Sequence, residues 1–140
     1  YLGDFQGHLT SNACSVAQWA SVGALKEAEQ DVQKMHGAFE KRRDLIVELM
    51  KDIPYISFTE PNGAFYVWFS VEKVLGKSWN GQVITDDITL CKVLLESKYV
   101  ALVPGSAFMA DGNVRISYSN SEEEIREGMK RFKEFLEELK

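Results

Sequence analysis

The sequence has few cysteines, no long apolar run and no excess of basic charge, and each shortage excludes a class of protein. Its 140 residues contain two cysteines, Cys14 and Cys91, far apart in the chain. Such isolated cysteines exclude a disulfide framework and a thiolate metal site. No segment approaches the ~20 consecutive apolar residues of a membrane-spanning helix, and no secretory signal pattern opens the chain. We therefore expect a cytoplasmic protein with no membrane partner.

The charge balance is acidic. The chain has 16 lysines and arginines and 21 aspartates and glutamates, which gives a formal net charge of -5. A broad basic surface for phosphate backbones is therefore not expected, and neither is a nucleic-acid partner. A single local anion site remains compatible with this composition.

Three short patterns look like functional motifs but lack the surroundings that those motifs need. Residues 76–78 read Gly-Lys-Ser, as in a phosphate-binding loop, yet Val71 stands where that loop needs its first glycine. His8 and His36 are isolated from each other and from both cysteines, so no metal site is expected. The three glutamates at 122–124 open a predicted helix, where negative charge is favourable to the helix dipole.

Hydrophobic periodicity predicts both helices and strands. Apolar residues at helical spacing predict helices at about 16–25, 29–52, 86–98 and from 122 to the C-terminus. Runs rich in aromatic and branched residues predict short strands at 55–58, 64–70, 100–103 and 114–118. No regular pattern is found at residues 1–8 or 71–82. The predicted fold class is α+β, a small and mostly antiparallel sheet packed with helices and preceded by a long connecting helix.

One arginine interrupts an apolar, alternating strand. Arg115 stands between Val114 and Ile116, shortly after a Pro-Gly-Ser loop at residues 104–106. Guanidinium groups are seldom buried without a partner, and their planar fork of donors matches a carboxylate held at two points. Arg115 therefore predicts a site for a small anionic ligand, and an ion pair within the sheet is the alternative.

Several short segments carry a family resemblance together, at residues 10–18, 39–44, 61–66, 103–108 and 114–118. In this order, they resemble the C-terminal part of class I and II aminotransferases, pyridoxal-phosphate enzymes of fold type I in the aspartate aminotransferase superfamily. The resemblance covers essentially the whole chain. It implies that residues 1–28 are the end of a large-domain segment with the first helix, and that residues 29–140 are the connecting helix and the C-terminal small domain.

The resemblance also implies roles for individual residues. Arg115 matches the strand arginine that holds the substrate α-carboxylate in this family. Gly63 and Phe65 match the strand start near the substrate entrance, with core packing as the alternative for Phe65. Ser11 and Asn12 match a large-domain loop that approaches the cofactor phosphate of the neighbouring subunit in family dimers, with capping of the next helix as their alternative.

The loop at residues 105–108 matches the family loop that borders the same cleft. The family lysine that forms the Schiff base lies upstream of the matched region, and Ser97-Lys98 imitates only its dipeptide. Because Tyr1 stands where a start methionine would, we expect a fragment of a longer chain. No catalytic residue and no bound cofactor are expected in it, whereas the parent enzyme would use pyridoxal phosphate.

The implied parent is a homodimer that moves an amino group between an amino acid and a 2-keto acid. The fragment alone is expected to be inactive. Two alternatives stay open, a non-catalytic interaction domain of the same fold and a pyridoxal-phosphate lyase relative.

Overall fold

A computed structural model describes all 140 residues, which fall into two units, residues 1–37 and residues 38–140. The helices are Leu2–Thr10 (α1), Ser15–Glu27 (α2), Glu29–Lys51 (α3), Asp87–Lys98 (α4) and Glu122–Glu137 (α5). The strands are Ser57–Phe58 (β1), Tyr66–Ser70 (β2), Ser78–Trp79 (β3), Gln82–Val83 (β4), Val103–Pro104 (β5) and Asn113–Ser117 (β6). None of the five helices combines the length and the apolar character needed to cross a membrane.

The unit of residues 1–37 consists of α1, α2 and the first turns of α3, and none of its side chains is buried. Helix α1 corrects the expectation that residues 1–8 have no regular structure. Its apolar residues Leu2, Phe5 and Leu9 follow helical spacing, but Gly3 and Gly7 lower the helix propensity of the same segment. Large apolar side chains of this unit face solvent: Leu2, Phe5, Leu9, Val16, Trp19 and Leu25.

Four strands of the second unit form one antiparallel sheet in the order β1-β2-β6-β5. Strands β2 and β6 form its centre, with Trp68 directly opposite Arg115. Successive side chains of a strand point to opposite faces, and directly opposed residues share a face. One face of the central pair is buried and carries Val67, Phe69, Val114 and Ile116. The other face carries Arg115 and remains partly accessible.

The hydrophobic core lies between the buried face of the sheet and helices α3, α4 and α5. Phe132 of α5 packs against Phe69 of β2, with ring centroids 5.9 Å apart. Burying one such side chain contributes roughly 1.5–3 kcal/mol. Helix α5 buries its apolar side chains, whereas α4 buries Cys91 and Leu94 but leaves Ile88 and Leu95 exposed. The α+β fold class is confirmed.

Helices α4 and α5 both begin with a residue whose side chain caps the helix. Ser121 and Glu124 form a capping box, in which each side chain accepts a hydrogen bond of 3.2 Å from the backbone N–H of the other. The carboxylate of Asp86 accepts a 2.7 Å hydrogen bond from the backbone N–H of Thr89. These caps satisfy donors that the first turn of a helix leaves unpaired.

Candidate functional site

Arg115 lies at the centre of the sheet, on the face away from the core. Its cross-strand neighbours are Trp68 on β2 and Val103 on β5. The side chain is half-buried and lines a cleft of about 790 Å³ within residues 38–140. Sites for small molecules commonly have volumes of about 300–1,000 Å³, so this cleft has room for one.

The guanidinium of Arg115 has aromatic neighbours and no acidic partner. Its Cζ atom lies 4.9 Å from the ring centroid of Tyr66 and 4.9 Å from that of Phe108. A cation is attracted by the faces of aromatic rings at such distances. No protein carboxylate lies within 4.0 Å of the guanidinium, and its N–H groups donate no hydrogen bond within the chain. The alternative of an ion pair within the sheet therefore has no partner in this structure.

Glutamates at the start of α5 line the same cleft without neutralising Arg115. Glu127 is paired with Arg131 at 2.7 Å, and the hydrogen bond from Arg131 lowers the pKa of the Glu127 carboxyl. Glu124 belongs to the capping box of its own helix. Glu123 also lines the cleft and forms no ion pair with Arg115. The guanidinium is thus a cation in a cleft with its donors unused.

A short 3-10 helix, Gly105–Phe108, brings the Phe108 ring to Arg115. A Cβ atom at Gly105 would lie 2.6 Å from the carbonyl oxygen of Asn113 and would also meet a second backbone oxygen, so only glycine fits there. Phe108 packs edge-on against Trp68, with ring centroids 5.7 Å apart. The family resemblance led us to expect this turn beside the cleft. The turn contacts Arg115 through the ring of Phe108.

Gly63 and Phe65 lie in the turn that leads into β2. Phe65 lines the cleft with 51% of its surface exposed, so core packing does not explain it. Gly63 does not line the cleft. The buried hydroxyl of Tyr118 donates to the carbonyl of Ala64 at 2.9 Å, which fixes this turn, and burial raises the pKa of Tyr118. Sequence reasoning assigned Tyr118 to a strand and missed this contact.

Ser11 and Asn12 lie in the unit of residues 1–37. Ser11 ends α1 with a φ of 57°, and α2 begins at Ser15 with Cys14 as its N-cap residue and no side-chain cap. The helix-capping alternative for these two residues is therefore wrong, since the chain needs two further residues before the helix begins. Their approach to a cofactor phosphate stays a prediction.

The lining of the cleft bears on whether these residues fit pyridoxal phosphate. The protein part of such a site includes a lysine that joins the cofactor. No lysine lines the cleft around Arg115. No group of three or more His, Cys, Asp and Glu side chains is placed to hold a metal ion either. The cleft offers the guanidinium of Arg115 and the aromatic side chains of Phe65, Tyr66 and Tyr99.

Comparison with known proteins finds a matching family model and similar proteins, and these are aminotransferases. Residues 1–132 match the family model for aminotransferase class I and II. A probable aspartate/prephenate aminotransferase of Rhizobium leguminosarum bv. phaseoli is 43% identical over 131 residues, which are 93% of this chain and 33% of that protein. An aspartate aminotransferase of Thermotoga maritima is 43% identical over 131 residues, 94% of this chain and 30% of that protein. The chain spans about a third of the length of these curated relatives.

Solved structures agree with the sequence relatives. The aspartate aminotransferase of Rhizobium meliloti superposes with a TM-score of 0.91 at 37% identity, covering 97% of this chain and 34% of that one. The Thermus thermophilus aspartate aminotransferase with maleate gives a TM-score of 0.81 at 32% identity, covering 94% of this chain and 32% of that one. The chain belongs to the aminotransferase class I and II family.

Proposed function

We propose that this chain is the C-terminal part of a pyridoxal-phosphate-dependent aminotransferase, in which Arg115 binds the α-carboxylate of the amino acid or 2-keto acid. The observation that carries the proposal is the guanidinium of Arg115, which lines a cleft without an acidic partner. Membership of the family supports the reaction type. The coverage of about a third of each relative supports a part of a longer enzyme.

The geometry of Arg115 suits a carboxylate. Two aromatic rings lie near its Cζ atom, while its N–H groups have no partner in the chain. A planar carboxylate can accept two parallel hydrogen bonds from such a group, which fixes its orientation as well as its position. The guanidinium keeps its proton at any physiological pH, so Arg115 orients the substrate and transfers no proton.

The cofactor is proposed for the whole protein. When bound, pyridoxal phosphate delocalises the negative charge that develops at the substrate Cα. Because no lysine lines the cleft, residues outside this chain would have to hold the cofactor, and the chain alone should be inactive. We place the end of the large domain at residues 1–28 and the small domain at 29–140. In a cytoplasmic homodimer, Ser11 and Asn12 would approach the cofactor phosphate of the neighbouring subunit, and Gly63 and Phe65 would border substrate entry.

The test uses the whole protein with its upstream sequence restored and pyridoxal phosphate added. Amino acids are screened one at a time for the absorbance change of half-transamination and for release of the matching 2-keto acid. The substitution Arg115→Lys should lower kcat/KM about a hundredfold, since a lysine cannot make the two-point contact. Arg126→Lys is the matched control, because Arg126 is exposed on α5 and does not line the cleft.

Two results would contradict the proposal. One is the absence of any amino acid that changes the cofactor spectrum, and the other is an Arg115→Lys variant as active as the wild type. Release of ammonia without amino transfer would instead assign the protein to the lyase alternative, which needs the same grip on the α-carboxylate.

A further inference from the structure

We propose that Asp87 is a positioning residue for carboxylate binding: its buried carboxylate holds the turn at Gly105–Phe108, whose Phe108 ring seats the Arg115 guanidinium. The inference rests on the proposed role of Arg115 and extends it to two residues outside direct contact with the substrate. The chain of contacts runs from the start of α4 through the backbone of the turn to the face of the sheet.

Asp87 is the one charged residue buried in the chain, with 2% of its surface exposed. Charged side chains are costly to bury and are seldom found there without a specific partner. Its Oδ2 atom accepts a 2.8 Å hydrogen bond from the backbone N–H of Ser106. The cap of α4 is supplied by the preceding residue, Asp86, so the helix does not need Asp87 as its cap. We therefore assign the buried carboxylate of Asp87 to holding the turn through its hydrogen bond with Ser106.

The turn that Asp87 holds has a fixed backbone. The N–H of Met109 donates to the carbonyl of Ser106 at 3.1 Å, and the N–H of Ala110 donates to the carbonyl of Gly105 at 3.1 Å. The lack of a Cβ atom at Gly105 lets the backbone pack directly on the start of β6. The packing of Gly105 fixes the first residues of the turn, and these two hydrogen bonds fix its last residues. The backbone therefore holds Phe108 in one orientation.

Phe108 depends on this turn because the core does not hold it. Its ring is 46% exposed and contacts Trp68 and Arg115 on the open face of the sheet. Arg115 in turn has no hydrogen bond to fix it, so the rings of Phe108 and Tyr66 are what restrict its side chain. A group that is ordered before its ligand arrives loses less conformational entropy on binding. Loosening the turn should therefore weaken carboxylate binding.

The test measures binding rather than turnover. Maleate, which has carboxylates but no amine, is titrated calorimetrically into the whole protein and its variants. Asp87→Ala and Phe108→Leu should each weaken maleate binding about tenfold, through loss of ring contact and of prior order. The double variant should bind no more weakly than the weaker single variant, because both substitutions break one chain of contacts. Asp87→Asn keeps an acceptor for Ser106 and should retain most of the affinity.

The controls separate positioning from general stability. Asp86→Ala removes a carboxylate at the same helix start and should lower the melting temperature while leaving maleate affinity unchanged. Arg115→Lys is measured beside it. If Arg115→Lys weakens binding while Phe108→Leu binds like the wild type, the role of Asp87 is refuted and the proposed function stands. If Arg115→Lys itself has no effect, the proposed function fails.

If the Asp87→Ala variant fails to fold, the proposal can still be tested with Phe108→Leu. Phe108 is half-exposed, so Phe108→Leu should fold, and wild-type affinity in that variant overturns the proposal by itself. Independent effects of Asp87→Ala and Phe108→Leu, adding fully in the double variant, would also overturn it, because they would show that Asp87 does not act through the ring.

Discussion

The two units of the chain differ in where their apolar side chains lie. Residues 38–140 bury a continuous core that includes Phe69, Phe132 and Phe135. Residues 1–37 bury none, and Trp19 and Leu25 are 75% and 89% exposed. Large exposed apolar patches are a common mark of interaction surfaces. The stability of residues 38–140 therefore rests on a hydrophobic core, which residues 1–37 lack.

The difference matters for the site, because Arg115, Phe108 and Asp87 all belong to the unit with the core. A carboxylate-binding group must be held in one position, and strands packed on a core provide that rigidity. The contacts that place Arg115 lie within residues 38–140. Arg115 is therefore positioned by the unit that contains the hydrophobic core.

The largest expected contrast between the units is in thiol reactivity. Burial raises the pKa of Cys91 from 9.0 to about 12, with a smaller contribution from the negative charge of Asp87, while Cys14 is exposed. Since only the thiolate reacts, a rise of three pKa units lowers the reactive fraction about a thousandfold. Ellman's reagent at pH 8 should modify one thiol at once and the second only in denaturant. Equal rates would contradict the comparison.

The raised pKa of Cys91 also predicts how the free energy of unfolding changes with pH. The folded state favours the neutral thiol, so the unfolded state releases its proton first as pH rises above about 9. Stability should therefore fall between about pH 9 and 12. Cys91→Ala should reduce this alkaline loss, which urea titrations at several pH values would measure.

The next contrast is in the cost of removing an aromatic ring. Phe132→Ala should lower the free energy of unfolding by about 3–5 kcal/mol, because the ring is fully buried and leaves a cavity. Trp19→Ala should change it by less than about 0.5 kcal/mol, because the side chain is exposed. Urea denaturation of the two variants measures both values. A large loss for Trp19→Ala would show that residues 1–37 have a core of their own.

The smallest contrast concerns two serines at helix termini, Ser121 at the start of α5 and Ser11 at the end of α1. Ser121→Ala should cost about 1 kcal/mol, because Ser121 caps α5. Ser11→Ala should cost less than about 0.5 kcal/mol, because Ser11 caps no helix start. Thermal unfolding followed by circular dichroism distinguishes the two. Equal losses would mean that Ser11 makes a contact comparable to a capping box.

Elements with strong local signals were predictable from the sequence. Helix α3 was predicted at 29–52 and observed at Glu29–Lys51, since a long amphipathic stripe admits few alternatives. The β3–β4 hairpin was missed although its turn, Asn80-Gly81, has the positive φ values typical of a two-residue hairpin. Its strands are only two residues long, too short for alternation to show. The strand predicted at 100–103 is reduced to Val103–Pro104 for want of a partner along its first residues.

The site was predictable in part for a similar reason. Arg115 could be singled out because a cation within an apolar strand is a local anomaly. Asp87 could not, because an acidic residue in the first turn of a helix is ordinary and its burial depends on a turn 19 residues away. The rings around Arg115 come from β2 and from the turn before β6, and their convergence follows from the strand order rather than from any local pattern.

A crystal structure of the whole protein with maleate would show directly what Arg115 binds. We expect N–H groups of Arg115 to donate to one carboxylate of maleate at about 2.7–3.2 Å, with Phe108 still packed against the guanidinium. An Arg115 that points into bulk solvent, or that is paired with a carboxylate of the protein itself while maleate binds elsewhere, would contradict it.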